Sequence, residues 1–330
     1  MYLYQTHMTM KKIFTYKVLF LTAALVLIFA QACKKKNEFK QEDGQDTVDT
    51  RTVQGENDAA IGDANTVLGD QALLSGRPAG EKLSKVAATS ICGMTVDTTQ
   101  VTAGILYLNF DGTVCNNRKR EGQIKLTIVD YPNKKWKQAG TILKLDYLDY
   151  KITRASDGKF ILLNGTLNVT NVEGGTWVDL AFFGKPKIVH EVKGTLIKVK
   201  YENSNITAEY NIHRRYTYTY NNLVFTCKGE GLGTNDGLSS LENWGTTRDG
   251  HAFTSQVTSP VMWNTTCGGG APIDGEIVIK VEDKSFEIRC IFAVNSNGDE
   301  VSVAPNTCAY GWKAEWKYKK KTKSRIFLYN

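Results

Sequence analysis

The chain has 330 residues, with 41 Lys+Arg against 34 Asp+Glu for a formal net charge of +7, and it is 42% hydrophobic and 10% aromatic. That balance excludes wholesale disorder, a collagen-like chain and a protein of many membrane spans. Six Pro and four His leave little material for a Pro-rich scaffold or a histidine metal site.

The first element is an address. Lys11, Lys12 and Lys17 precede an apolar run from Val18 to Ala30, and Ala30-Gln31-Ala32-Cys33 follows. A basic start, an apolar core of about 7–15 residues and small residues before a cut describe a secretory signal over residues 1–32. The run is too short for a comfortable transmembrane helix, which needs roughly 20 apolar residues. The Cys directly after Ala32 resembles a bacterial lipoprotein signal, which implies that Cys33 carries acyl chains of the palmitate type and becomes the first residue. The competing reading is an ordinary cleaved signal with Cys33 incidental. Lys34 stands where Asp would suggest inner-membrane retention, so the expected location is the outer membrane, lipid-anchored, with the facing side left open.

Removing residues 1–32 removes three positive charges and no negative ones, leaving the chain at +4. Residues 34–90 hold eight Lys/Arg against ten Asp/Glu and one aromatic, Phe39. Such a composition buries too little apolar surface to offset ordering entropy, which predicts a flexible tether over residues 33–56. Residues 57–90 read as a linker. Ile61, Ala64, Leu68 and Ala72 recur there at helical spacing, compatible with a short amphipathic helix over about 57–74, although Gly62 and Gly69 weaken it.

From residue 91 to 330 the texture is that of a β-rich globular body. Gln123–Ile128, Phe160–Val169, Glu276–Val281 and Phe286–Phe292 alternate polar and apolar residues, as half-buried strands do. Asp111-Gly112, Asp157-Gly158, Asp236-Gly237, Asp249-Gly250, Asp274-Gly275 and Asn297-Gly298 punctuate them as turns. Asn164-Gly165 falls inside a strand pattern and marks a bulge. Strand after strand without a convincing helix predicts an all-β, antiparallel body, either a sandwich or an open half-barrel.

With Cys33 assigned to lipid, Cys92, Cys115, Cys227, Cys267, Cys290 and Cys308 remain, an even number in an oxidising compartment, and disulfides are expected. Six cysteines permit fifteen connectivities. The favoured arrangement is Cys92–Cys115, Cys267–Cys308 and Cys227–Cys290. A zinc site lacks a CxxC pair and a His at ligand spacing.

Leu108-Asn109-Phe110-Asp111-Gly112-Thr113-Val114-Cys115, running into Arg118-Lys119-Arg120-Glu121-Gly122-Gln123-Ile124, resembles a segment of uncharacterised Bacteroidota-type outer-membrane lipoproteins: an apolar-Asp-Phe-Gly turn, a Cys, then Arg-x-Gly-Ile opening a strand. Thr247–Phe253, Val257–Pro260, Cys267, Asp274–Ile277 and Cys308 are similar to a later stretch of that family. The order is inverted at Phe110-Asp111, and Cys227 and Cys290 lie outside the pattern. The resemblance implies an exported β-rich lipoprotein and no catalytic residue.

The remaining chemical candidates are few. His190-Glu191 opens like a zincin helix, but Gly194 takes the place of the second His. The glycines at 229, 231 and 233 lack a phosphate-loop Lys. Tyr216, Tyr218 and Tyr220 share one face of a strand. Exposed, they would stack on sugar rings; buried, they are a core face, and the core face is the first reading. Lys313, Lys317, Lys319, Lys320, Lys321, Lys323 and Arg325 crowd the end of the chain, as in a charged strand that blunts a sheet edge. Asp46-Thr47-Val48 and Asp97-Thr98-Thr99 resemble O-glycosylation acceptors at Thr47 and Thr98, with Thr47 the better placed on a tether. No metal site or cofactor is indicated, and nucleic acid is not an expected partner of an exported protein. The function expected is therefore not enzymatic: a structural or binding lipoprotein whose partners are the membrane, through its lipid, and a glycan or another envelope protein. The alternative is a carrier holding an apolar ligand in a curved sheet; a hydrolase with an unrecognised site is a third class.

Overall fold

The computed structural model describes residues 44–76, 91–268, 271–282, 287–302, 307–318 and 321–329. Cys33 and the signal lie outside the described residues. The fold is all-β and antiparallel, as the alternation predicts. Fifteen strands join one sheet, ordered β1 to β7, then β10 to β15, among the described residues. They run from β1 (Met94–Asp97) through β2 (Ile105–Cys115), β3 (Arg118–Ile128), β4 (Thr141–Arg154), β5 (Phe160–Asn171), β6 (Ile188–Tyr201) and β7 (Thr207–Asn221). β8 (Val224–Gly231), β9 (Gly233–Asn235), β10 (Leu238–Thr246), β11 (Ala252–Asn264), β12 (Asp274–Val281), β13 (Glu287–Val294), β14 (Gly311–Tyr318) and β15 (Lys321–Leu328) complete it.

β8 and β10 share one slot. β7 pairs with β8 through Arg214–Asn221 and with β10 through Tyr210–Ile212. β11 mirrors this, meeting β10 through Ala252–Gln256 and β8 through Val261–Asn264. The two short strands are one interrupted strand, with β9 lying in the excursion between them. The basic strand β15 is the last in the order, an edge position in keeping with its charge.

The curvature comes from bulges. β4 spends three residues, Tyr147 to Tyr150, where β5 spends two, and β6 does the same against β7 between Gly194 and Ile197. The extra residues, Asp149 and Leu196, sit at positive φ of 49° and 52°. Inward-facing positions therefore change parity: Leu143, Leu145 and Tyr147 give way to Tyr150 and Ile152, all buried. Gly122 faces the Asp149 bulge, and a Cβ there would stand 2.2 Å from the Asp149 carbonyl oxygen. The register also slips at Asn164-Gly165, where the sequence places a bulge. Each bulge bends its strand and increases the local twist.

The concave face is filled by a helix, α1 (Gln45–Asp70), 26 residues long. Here the expected flexible tether over 33–56 and the short helix from 57 are corrected from residue 44 onward: the helix begins at Gln45, and its first turns are buried, while residues 33–43 lie outside the described residues. Val53, Ala60, Ile61, Ala64, Val67 and Leu68 join one core with Leu106, Leu126, Leu145, Leu163 and Val199 of the sheet. Asp46, Thr47, Asp49, Thr50, Gln54, Glu56, Asn57 and Asn65 are buried as well. Several polar residues of this helix find partners on the strands and their connections. Tyr147 Oη donates to Asn57 Oδ1 at 2.8 Å, and Trp136 Nε1 donates to Asn65 Oδ1 at 3.1 Å. The folded unit thus starts before residue 91. α1 stops at Gln71, whose backbone is extended, and a short helix α2 (Ala72–Ser75) ends at Gly76 with φ 80°, the left-handed close that glycine permits.

Candidate functional site

Five ion pairs tie α1 to the sheet and its turns among the described residues; one joins Arg51 to Glu242 of β10 at 3.6 Å, and the other four use carboxylates of α1. Asp49 takes Arg248 of the β10–β11 turn at 2.5 and 2.8 Å, Glu56 takes Arg118 of β3, Asp63 takes Arg120 of β3 at 2.5 Å, and Asp58 takes Arg214 of β7 at 3.3 Å. Burial pushes the Asp49 and Glu56 carboxyls up from their usual range, and the guanidinium beside each pulls back. Arg214 is the deepest charge: it also donates to Asn243 Oδ1 at 2.6 Å and to Tyr216 Oη at 3.0 Å.

Beside the first half of α1 the sheet leaves an open cleft of about 1110 Å³. Its apolar floor is Val48, Ile152, Phe160, Ile161 and Tyr201, and its polar walls include Asn116, Asn117, Arg118, Arg154, Asp157, Lys159, Glu202 and Arg248. The β2–β3, β4–β5 and β6–β7 turns and the β10–β11 turn supply those walls, because consecutive antiparallel strands bring alternate turns to one end of the sheet. Arg248 is the hinge of the site. Its guanidinium lies 4.6 Å over the Tyr201 ring and reaches Glu202 at 3.5 Å as well as Asp49. Glu202 in turn accepts from the Phe160 amide at 3.1 Å. Arg154 grips Asp157 through two bonds of 2.8 and 2.6 Å, and the Asn117 amide donates to Ser156 Oγ. Each carboxylate lining the cleft is thus partnered by a guanidinium. What the walls present to a ligand is a set of fixed donors and acceptors above an apolar surface.

No family model, characterised protein or solved structure matches the chain.

The residues singled out from sequence fall elsewhere. Tyr216 is 4% exposed and donates to Asp58 Oδ1 at 2.7 Å. It faces α1, so it offers no surface for stacking. Tyr218 packs against Trp177 at 5.0 Å and His190 at 5.3 Å, and Tyr220 against Phe225 at 4.5 Å. Tyr216 and Tyr218 lie side by side, ring centroids 6.2 Å apart, in the layer packed on the core as the core-face reading expects, and not on an exposed stacking surface. Thr47, the preferred glycosylation candidate, is 2% exposed in α1, whereas Thr98 is exposed in the turn after β1. The correction follows from the helix that replaces the expected tether.

Cys92–Cys115 and Cys267–Cys308 are bonded. Cys227 and Cys290 are not, contrary to the favoured third pair. β8, which carries Cys227, pairs with β11, and β12 separates β11 from β13, which carries Cys290. Three strand spacings of about 4.8 Å exceed the ~7 Å Cα limit of a disulfide. Burial raises the Cys227 thiol, which sits against Tyr218, and pushes the Cys290 thiol up to about 12. Neither is a poised nucleophile. His190, rejected as a zincin His, is buried between Trp136 and Tyr218, and burial lowers it to about 3. Among the described residues no group of three or more His, Cys, Asp or Glu is placed to hold a metal ion.

Sequence reasoning missed the cleft. Its parts come from five separated stretches, and the one local signal, the Asn116-Asn117 pair between two strand patterns, reads simply as a hairpin turn.

Proposed function

We propose that this chain is an outer-membrane lipoprotein of the envelope, anchored through acylated Cys33, whose folded body binds a glycan and catalyses no reaction. The observation that carries the binding role is the cleft: fixed Asn, Asp, Glu and Arg groups over Phe160 and Ile161 match the alternation of hydroxyl edges and apolar faces on a sugar ring. The neutralised carboxylates support binding over hydrolysis, since glycoside hydrolysis needs one free acid and one free base. The carrier reading calls for an apolar hollow in the curved sheet, and α1 occupies that space. The lipid anchor rests on the Ala32-Cys33 junction and the basic, apolar segment before it.

The test of the ligand is a glycan panel probed with residues 34–330. Binding is expected, with at least a tenfold loss for an Asn116→Ala/Asp157→Ala variant at the exposed rim. No binding to any glycan, or equal binding by the variant, would refute the reading. For the anchor, Cys33→Ser should release the protein from membranes, and unchanged retention would refute it.

A further inference from the structure

The two ends of the sheet differ in what they expose. The connections that enclose the cleft and the strand ends beside them carry two exposed large apolar side chains, Ile206 and Val114. The opposite end, where α1 finishes, carries Leu73, Val129, Val172, Phe182, Phe183 and Leu223. Phe182 is 75% exposed, Phe183 60% and Leu223 84%.

These residues sit on connections that are bonded to one another. The Trp136 amide donates to Leu74 O at 2.9 Å, and the Gly175 amide donates to Lys137 O at 2.8 Å. The Asn171 side-chain amide donates to both Trp136 O and Gly175 O at 2.8 Å. The phenylalanines end a short helix, α3 (Trp177–Phe182), whose first turn is clamped by a capping box between Thr176 and Asp179. Trp177 of that helix lies 5.5 Å from Phe225, just past the β7–β8 turn that holds Leu223. The protruding rings are therefore held on a braced platform.

The surrounding charge has a sign. The β3–β4 and β5–β6 connections carry Lys134, Lys135, Lys137, Lys185 and Lys187 against Asp130, Glu173 and Asp179. Lys187 pairs with Glu173 at 2.8 Å and Lys137 with Asp179 at 2.7 Å, so the surplus is basic. Exposed Phe and Leu tips, a half-buried Trp and Tyr layer beneath them, and a basic surround are the composition of a surface that enters the headgroup region of a bilayer. We propose that this end of the body docks on an anionic lipid surface, inserting Phe182, Phe183 and Leu223. This contact is separate from both the cleft and the acylated Cys33.

The experiment uses the chain from residue 33 onward with Cys33→Ser, so that no acyl chain contributes. It is sedimented with vesicles of phosphatidylcholine alone and with phosphatidylglycerol added. At least tenfold tighter association is expected with the anionic vesicles. Phe182→Ser/Phe183→Ser should lower it by a further factor of ten or more, while keeping the thermal midpoint, because both rings are exposed. Lys185→Glu/Lys187→Glu should remove the preference for phosphatidylglycerol. Absence of binding to either vesicle, or unchanged binding by the phenylalanine variant, overturns the proposal. So does self-association in the absence of vesicles, or glycan binding, that the phenylalanine variant abolishes, since the patch would then serve a second copy or a sugar.

Discussion

His190 makes the stability of this protein sensitive to mild acid. Its ring is 1% exposed, lies 5.2 Å from the Trp136 ring, and neither nitrogen has a hydrogen-bond partner. Burial without compensation favours the neutral ring and lowers its pKa to about 3. The unfolded chain takes up a proton at about 6.5. The folded state resists that proton, so the stabilisation is complete above about pH 6.5 and is lost as pH falls toward the folded value. Between about pH 6.5 and 4.5 the slope rises toward about 1.4 kcal/mol per unit, and the loss amounts to about 2 kcal/mol. Buried carboxyls such as Asp49 and Glu56, raised by burial, act in the opposite sense over the same range. The informative quantity is therefore a difference between two proteins. Urea unfolding of wild type and His190→Phe, followed by tryptophan fluorescence at a series of pH values, separates the histidine from everything the two share. The variant should gain on wild type by about 2–3 kcal/mol on going from about pH 7 to 4.5. Parallel pH profiles would show that the ring is protonated in the fold, and would refute the reasoning.

Three further outcomes follow from the packing of α1 and from the thiols. Deleting residues 34–70 removes Val53, Ala60, Ala64, Val67 and Leu68 from the core, so the remainder should show no cooperative unfolding transition by circular dichroism; a normal transition would mean that the sheet stands alone. Arg248→Ala leaves buried Asp49 without its partner and should cost about 3–5 kcal/mol in urea unfolding, with much of that recovered in Arg248→Ala/Asp49→Asn; equal stability of all three proteins would contradict the pairing. Alkylation of residues 34–330 under denaturing, non-reducing conditions should label two thiols, Cys227 and Cys290, by mass spectrometry, and six after reduction; zero before reduction would mean that they pair after all.

The strand pattern was legible because its causes are local. Alternation along Glu276–Val281 reflects which face is buried, and the Asn164-Gly165 dipeptide marks a bulge by its own backbone tolerance. The helix was half legible. Ile61, Ala64 and Leu68 are buried at the spacing that suggested it, but residues 45–56 carry no apolar stripe. What folds them is remote: Arg118 lies 62 residues from Glu56, and Arg248 lies 199 from Asp49. A polar segment reads as a tether until those arginines are placed. The tyrosine triplet was legible as a core face: Tyr216 is buried and Tyr218 packs against the core. Alternation places Tyr216 and Tyr218 on one face, but only the bend of the sheet decides that this face looks at a helix. The cysteine pairing by remainder ignored strand order, which keeps Cys227 and Cys290 apart.

The same geometry decides where a ligand can act. A helix with its side chains is about 10–12 Å across, and the bulged sheet closes around one. Ala60 and Ala64 let the backbone approach, and small residues alone would allow α1 to slide or rotate. The ion pairs at Asp49, Glu56, Asp58 and Asp63 are spread over the helix and reach β3, β7 and the β10–β11 turn, so a shift of one turn would break all of them at once. Each buried pair carries a desolvation penalty, and its return is a single register. A helix locked in that way fills the middle of the concave face with its own side chains. The proposed binding roles therefore fall to the two ends, where the turns gather: a charged, open cleft at one, and protruding phenylalanines in a basic surround at the other.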